Sequence, residues 1–121
     1  MQDVIERYLD CWNESDAAAR RKLIEQVWAP DATYTDPLAE VTGRAAIDAV
    51  IAAAQAQFPG YVFTLAGPVD AHHRQARFSW NLGPEGSPGA EPVVVGSDVA
   101  LTGPDGQIVA VFGFLDKVPA A

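Results

Sequence analysis

Residues 93–118 read VVVGSDVALTGPDGQIVAVFGFLDKV. Val93 to Thr102 and Gln107 to Val118 are rich in β-branched and aromatic residues, which favour extended strands. Asp105-Gly106 stands between the two runs, and this pair is a strong signal for a tight hairpin turn. The stretch therefore predicts two long antiparallel strands joined by a hairpin.

The second of these predicted strands is apolar on both faces. Ile108 to Leu115 reads IVAVFGFL, whereas an antiparallel strand with one face in water should alternate apolar and polar residues. We expect the helices and a pocket to cover one face. A partner subunit is expected on the other, so we predict a homodimer through the outer face of the sheet.

Two more strands and a loop precede this hairpin. Tyr61 to Leu65 is β-prone, and Arg74 to Leu82 alternates, with Ala76, Phe78, Trp80 and Leu82 on one face. Gly83 to Pro92 contains three Gly and three Pro and is predicted to be a loop. Its length leaves open whether it covers the mouth of a cavity.

Helical spacing dominates the first half of the chain. The three predicted helices run over residues 3–13, from the cap Ser15 to Pro30, and from Thr42-Gly43 to Pro59-Gly60. A short strand, Ala32 to Asp36, lies between the second and third helices and stops at Pro37. Helices separated from an antiparallel sheet predict an α+β fold, and residues 1–121 fit a single domain.

Composition excludes several classes of partner. The formal net charge is −8, with 16 Asp and Glu against 8 Lys and Arg, and no basic stripe suggests nucleic acid or an anionic membrane surface. Cys11 is the only cysteine, so no internal disulfide is possible, and its apolar surroundings predict a buried, inert thiol. No signal peptide or membrane span is recognisable, which leads us to expect a cytoplasmic protein.

Three residues are candidates for chemistry: Tyr8, Asp36 and Asp98. Tyr8 lies on the apolar stripe of the first helix, Asp36 ends the short strand, and Asp98 has apolar neighbours in the middle of a strand. A carboxyl group in an apolar site either finds a strong partner or has its pKa raised. Each also has an ordinary interpretation: Tyr8 as core, Asp36-Pro37 as an Asx turn, Asp98 on a wet face.

Other motifs carry less weight. His72-His73 are adjacent in a connection between strands, so their side chains diverge, and no ligand set at metal spacing accompanies them. Gly96-Ser97 lacks the flanks of a nucleophile elbow, and Gly86-Ser87-Pro88-Gly89 lacks the helix of a phosphate loop. We therefore expect no metal and no cofactor. The large aromatic residues suit either a core or a ligand cavity.

The order of these elements resembles the nuclear transport factor 2-like superfamily, in particular its SnoaL-like and ketosteroid isomerase branches. The stretches that carry the resemblance are Arg7-Tyr8-Leu9, Ala32 to Pro37, Gly43-Arg44 with Ile47, Gly67-Pro68-Val69, and Asp98-Val99 followed by Asp105-Gly106 and Ile108. The resemblance implies a cone: three N-terminal helices on a strongly curved, mainly antiparallel sheet that encloses an apolar pocket. It also implies a small apolar ligand.

The resemblance implies roles for the three candidates. Asp36 falls at the general base, Tyr8 at the oxyanion-hole tyrosine, and Asp98 at the neutral aspartic acid that gives a second hydrogen bond. The residues expected to line the ligand pocket are Trp12, Trp28, Tyr34, Phe78, Trp80, Val111 and Leu115. The chain departs from ketosteroid isomerases where Trp28 and Ile51 replace supporting tyrosines and Leu115 replaces a pocket tryptophan.

Two functions of different classes follow, and a third is weaker. The first is a cofactor-independent isomerase or polyketide-type cyclase that moves a proton on a small carbonyl compound. The second is a non-catalytic module that binds a small apolar ligand, which the missing tyrosines favour. The third is a protein-interaction domain, since this fold also serves as a dimeric adaptor.

Overall fold

Three helices precede most of a seven-stranded sheet, and a computed structural model describes residues 1–86 and 91–119. The elements in chain order are α1 (Gln2–Asn13), α2 (Ala17–Val27), β1 (Trp28–Thr35), β2 (Glu40–Thr42), α3 (Arg44–Gln57), β3 (Tyr61–Leu65), β4 (Asp70–His72), β5 (Gln75–Pro84), β6 (Val94–Thr102) and β7 (Ile108–Lys117). The predicted α+β class is confirmed.

The sheet is open and curved, with strand order β2-β1-β7-β6-β5-β3 and β4 paired to β5. Every pair is antiparallel except β1 with β7, which is parallel. The register shifts within the β1–β7 pair and twice within the β6–β7 pair. Such irregularities bend strands, and they help β7 curve around the helices.

The hairpin predicted from residues 93–118 is confirmed. β6 pairs with β7 over nearly its whole length, including Asp98 opposite Gly113. Gly106 has φ of +84° in the turn, and Asp105 Oδ1 accepts a hydrogen bond from the Gln107 amide at 3.0 Å. The left-handed backbone at Gly106 explains why Asp-Gly is the pair found there.

Two boundaries of α2 differ from the prediction. Its cap is Asp16 rather than Ser15, because the Asp16 carboxylate accepts a hydrogen bond from the Ala19 amide at 2.8 Å. The helix ends at Val27, so Pro30 lies inside β1 and does not terminate the helix. Proline has no backbone N–H to donate to a neighbouring strand, and the β1–β7 register shifts across this segment.

Several short extended segments were not predicted. β2 and β4 lie in regions interpreted as loop or connection, and β5 continues through Gly83-Pro84. His72 belongs to β4, whereas His73 occupies the turn to β5 with φ of +55°. Of the predicted loop from Gly83 to Pro92, residues 87–90 lie outside the described residues.

The predicted inner face of β5 is confirmed. Ala76, Phe78, Trp80 and Leu82 are all buried on the inner face of β5, towards the helices. On the outer face of β7, Val109, Phe112 and Phe114 are 37%, 43% and 60% exposed. The inner face therefore builds the core, and the outer face carries apolar side chains in contact with solvent.

A polar network ties the helices together near the end of α1. The Arg20 guanidinium, which is buried, donates hydrogen bonds to Asp48 Oδ1 at 2.6 Å and to Gln55 Oε1 at 3.0 Å. Gln55 Nε2 in turn donates to the carbonyl oxygens of Trp12 at 2.9 Å and Glu14 at 2.8 Å. These bonds hold the last turn of α1 against α2 and α3.

Candidate functional site

Tyr8 and Asp98 form a buried pair between α1 and β6. Side chains on β6 alternate, and the inward set includes Asp98, which is 4% exposed. The Tyr8 hydroxyl donates a hydrogen bond to Asp98 Oδ2 at 2.8 Å. This geometry excludes the interpretation that Asp98 lies on a wet face. It also gives the buried hydroxyl of Tyr8 an acidic partner.

Burial changes the acidity of both groups. Desolvation raises the pKa of Asp98 to about 6, although the Tyr8 hydroxyl and the Trp80 indole act in the opposite direction, and the charge of Asp36 raises it further. Burial, together with the charge of Asp98, holds the pKa of Tyr8 well above its ordinary value. Near neutral pH, Asp98 therefore exchanges between its ionised and neutral forms, while Tyr8 stays a proton donor.

Asp36 is both the first residue of a turn and part of the cavity wall. Its Oδ1 accepts hydrogen bonds from the backbone amides of Leu38 and Ala39, both at 2.8 Å. Its Oδ2 accepts a hydrogen bond from the Tyr34 hydroxyl at 2.6 Å. The Asx-turn interpretation and the functional interpretation therefore both apply, because the turn aims the carboxylate into the cavity.

Gly113 makes room for the side chains of both Asp98 and Asp36. It lies on β7, between β6 and β1, and a Cβ atom at this position would come within 2.8 Å of Asp98 Oδ1 and 3.3 Å of Asp36 Cβ. The absence of a side chain leaves the space that both groups use. Sequence reasoning missed this residue, although a glycine inside an apolar strand was the available signal.

The three candidates open onto one cavity of about 250 Å³. That volume is somewhat below the roughly 300–1,000 Å³ of pockets for drug-sized ligands, so it suits a small molecule. The predicted residues on its wall are Tyr8, Trp12, Tyr34, Asp36, Trp80, Asp98 and Leu115. Apolar residues that were not predicted complete the wall, among them Leu38, Phe58, Phe63 and Val118.

Three predicted lining residues, Trp28, Phe78 and Val111, lie in the core and do not line the cavity. The rings of Trp28 and Phe78 each pack against Tyr8 with centroids 5.6 Å apart. They support the hydroxyl-bearing ring from behind. Both side chains are buried as predicted, but the Tyr8 ring on which they pack reaches the cavity wall and they do not.

A glycine also shapes the opposite wall. Gly96 on β6 pairs with Trp80 on β5, and a Cβ atom at Gly96 would collide with the Trp80 indole. The indole therefore lies flat over a strand position that has no side chain. This arrangement keeps a large ring from filling the cavity.

The part of the chain that the structure describes contains few other candidates for a catalytic or metal site. No group of three or more His, Cys, Asp and Glu side chains among them could hold a metal ion. None of their helices is long and apolar enough to cross a membrane. The thiol of Cys11 is buried, and burial raises its pKa to about 12, so it is not a nucleophile in the folded protein.

Known proteins are similar to this chain in sequence and in fold. A model of the SnoaL-like domain family matches residues 5–111, and no curated protein is a match. A solved structure from Agrobacterium tumefaciens is 43% identical, with a TM-score of 0.87, over 95% of this chain and 96% of that one. That protein is described as an isomerase of the SnoaL-like family, a provisional assignment.

Two more distant structures share the fold. A protein from Sinorhizobium meliloti, provisionally described as a polyketide cyclase, is 22% identical with a TM-score of 0.69, over 92% of this chain and 93% of that one. A nuclear transport factor 2-like protein of unknown function from Exiguobacterium is 21% identical with a TM-score of 0.73, over 93% of this chain and 98% of that one. The predicted nuclear transport factor 2-like fold is thereby confirmed.

Proposed function

Since the chain belongs to the SnoaL-like domain family, we propose that it is a cofactor-independent isomerase or cyclase, which moves a proton on a small apolar carbonyl compound. The observation that carries the proposal is the hydrogen bond from Tyr8 to a buried Asp98 in an apolar cavity that Asp36 also lines. A base and an oxyanion site are the two parts that such a reaction needs.

In this proposal, Asp36 Oδ2 takes a proton from the carbon next to the substrate carbonyl. The C–H electron pair moves into the carbonyl group, and the resulting enolate oxygen is held by Tyr8 and by neutral Asp98. An isomerase then returns the proton from Asp36 to a different carbon. In a cyclase the enolate carbon attacks a second carbonyl, whose π electrons move to its oxygen, and that alkoxide takes the proton from Asp36. Loss of one donor from known oxyanion holes costs about 3–4 kcal/mol.

The acidity of Asp98 supports a specific pH dependence. A neutral Asp98 can donate a hydrogen bond, and its neutral fraction falls as pH rises above about 6. We therefore expect kcat/KM to decline above that pH in the wild-type protein. In Asp98→Asn, which donates at every pH, this decline should be lost. A decline retained in the variant would remove Asp98 from the oxyanion site.

The direct test is the isomerisation of a β,γ-unsaturated ketone to its conjugated isomer, followed by absorbance. Cyclohex-3-enone and an unconjugated ketosteroid are suitable small and large substrates. Asp36→Asn should abolish turnover while keeping the turn, because asparagine retains an oxygen for the Leu38 and Ala39 amides. Asp31→Asn, an exposed position on β1, is the matched control. Wild-type rates in Asp36→Asn would refute the base assignment.

A second candidate function is binding without conversion. Both oxygens of the Asp36 carboxylate already accept hydrogen bonds, from two backbone amides and from the Tyr34 hydroxyl, so the group also has a purely structural role in the turn. Affinity for 2-naphthol, a phenol that mimics an enolate, separates the two functions. If the phenolate binds beside Asp36, Asp36→Asn should tighten binding, whereas a plain apolar pocket should barely respond.

We also propose the homodimer predicted from β7. Val109, Phe112 and Phe114 form an exposed apolar strip on the outer face, which a second copy of the sheet would cover. Sedimentation of the wild-type protein should give a dimer, and Phe114→Glu a monomer. Leu38→Glu changes an exposed residue away from this face and should leave the dimer intact. A wild-type monomer would refute the proposal.

The cytoplasmic location expected from the sequence stays a prediction.

A further inference from the structure

The indole nitrogen of Trp12 is a buried donor without a partner. Among the residues that the structure describes, Trp12 Nε1 and Trp28 Nε1 are the buried side-chain nitrogen or oxygen atoms that form no hydrogen bond. Trp12 is 7% exposed and lines the cavity. Folded proteins rarely leave a buried donor unpaired, because the lost hydrogen bond costs about 1–3 kcal/mol. A donor on a cavity wall can find its acceptor in a bound molecule.

This donor lies next to the oxyanion pair. Trp12 follows Tyr8 by one helical turn on the buried face of α1, and their ring centroids are 6.3 Å apart. The Trp12 indole is close enough to the Tyr8 hydroxyl to lower the pKa of that group, against the larger effects of burial and Asp98. The indole N–H therefore lies beside the phenol hydroxyl, and both residues line the cavity.

The ring is held in place on several sides. It packs against Tyr34 and Phe63 with centroids 5.5 Å and 5.4 Å apart. The Trp12 carbonyl accepts a hydrogen bond from Gln55 Nε2 at 2.9 Å, which anchors the helix end that carries the ring. A donor fixed in this way can act without reorganising when negative charge develops on a ligand.

The cavity chemistry limits what the indole can bind. None of the described lining residues is Lys or Arg, while Asp36 and Asp98 both contribute carboxyl groups. A carboxylate or phosphate ligand would meet two acidic groups and no cation. An oxygen on an otherwise apolar molecule avoids this cost and accepts hydrogen bonds from uncharged donors.

We propose that Trp12 is a third donor to the ligand oxygen held by Tyr8 and Asp98. The ligand class is a small ring compound whose carbonyl, enol or phenol oxygen points at α1. The inference rests on the proposed function for the place of that oxygen. It adds a residue that contacts the ligand, and it supplies a donor where this chain lacks the supporting tyrosines.

The test follows the indole N–H protons by NMR while 2-naphthol is added. The chain has three tryptophans, and Trp12→Phe and Trp28→Phe assign their signals. The Trp12 signal should move downfield with 2-naphthol, as expected for a newly formed hydrogen bond, and much less with naphthalene, which has the rings but no oxygen. The Trp28 signal is the internal control, because this indole is buried in the core and does not line the cavity.

Affinity gives a second measurement. Trp12→Phe should reduce the ratio of 2-naphthol affinity to naphthalene affinity about 5- to 10-fold, the value of one hydrogen bond. Replacing the indole by a phenyl ring weakens packing against both compounds equally, so the ratio of their affinities is unaffected by that loss. Phe58→Leu, which removes a ring from the cavity wall but no donor, should leave the ratio unchanged. If Trp12→Phe does not fold, Trp28→Phe and Trp80→Phe assign the three signals by elimination, and the NMR measurement on the wild-type protein still decides.

The outcomes separate this inference from the proposed function. Binding of 2-naphthol with no specific movement of the Trp12 signal would overturn the inference alone. Failure of both compounds to bind would overturn the ligand cavity and the inference together. Binding with the predicted Trp12 shift, but no turnover of either ketone, would support the inference and count against the catalytic proposal.

Discussion

Asp98→Asn should stabilise the protein at neutral pH, because the wild-type fold buries an ionisable carboxyl group. Folding raises the pKa of Asp98 from its ordinary value of 3.8 to about 6. One pKa unit corresponds to about 1.4 kcal/mol, so keeping Asp98 ionised costs the folded state about 3 kcal/mol at pH 8. Asparagine has nearly the same shape, is never ionised, and keeps an oxygen for the Tyr8 hydroxyl.

The sign follows from proton binding. Between pH 4 and 6 the folded state binds more protons at Asp98 than the unfolded state, so this group's contribution is complete below pH 4 and is lost as pH rises through about 6. The gain of Asp98→Asn in free energy of unfolding should therefore grow from about 1 kcal/mol at pH 4.5 to about 3 kcal/mol at pH 8. Substitutions that remove function often stabilise in this way.

Urea unfolding followed by tryptophan fluorescence at pH 4.5, 6 and 8 measures this gain. Asp31→Asn, at an exposed carboxylate on β1, controls for the loss of one negative charge from an acidic chain. A gain that does not increase with pH, or that Asp31→Asn reproduces, would refute the reasoning. In that case burial would not be the cause of the raised pKa of Asp98.

Three other substitutions test the geometry of the cavity. Gly113→Ala should lower the ketone isomerisation rate about 100-fold, because the added Cβ displaces the Asp98 carboxyl group. Gly83→Ala, whose Cβ has room, is the control. Equal rates in the two variants would contradict the role of Gly113. Gly96→Ala should push the Trp80 indole into the cavity and weaken 2-naphthol binding. A dissociation constant equal to that of the wild-type protein, measured by fluorescence titration, would contradict this. Tyr8→Phe should raise the pKa of Asp98 above about 6 in carbon-13 NMR titrations, since the lost hydroxyl lowers it; a fall would contradict the hydrogen bond.

Periodicity was a good guide to the sheet and its faces. Alternation in Arg74 to Leu82 identified the buried face of β5, and the apolar run from Ile108 identified a strand in the middle of the sheet. Pro30 misled because proline ends helices more often than it enters strands, and β1 accommodates it where its pairing with β7 is irregular. β2 and β4 each have only three residues, too few for any period to be recognised.

The site was harder to predict than the fold. Tyr8 and Asp98 are 90 residues apart in the chain, and their side chains meet between α1 and β6. Pattern made each a candidate, but the roles assigned to them depended on the resemblance. Pattern distinguishes inward from outward residues but not depth, which is why Trp28 and Phe78 were expected at the cavity wall. Gly96 and Gly113 were missed because they act through the space that they leave.

Cys11 allows α1 to be monitored without any introduced label. It is the only thiol of the chain, and it lies on the same helix as Tyr8 and Trp12 with no surface exposed to solvent. An alkylating reagent can reach it only when the packing around α1 opens. Mass spectrometry of the alkylation rate in native buffer would therefore report how often the packing opens around the helix that carries two of the proposed donors, and whether a bound ligand prevents it.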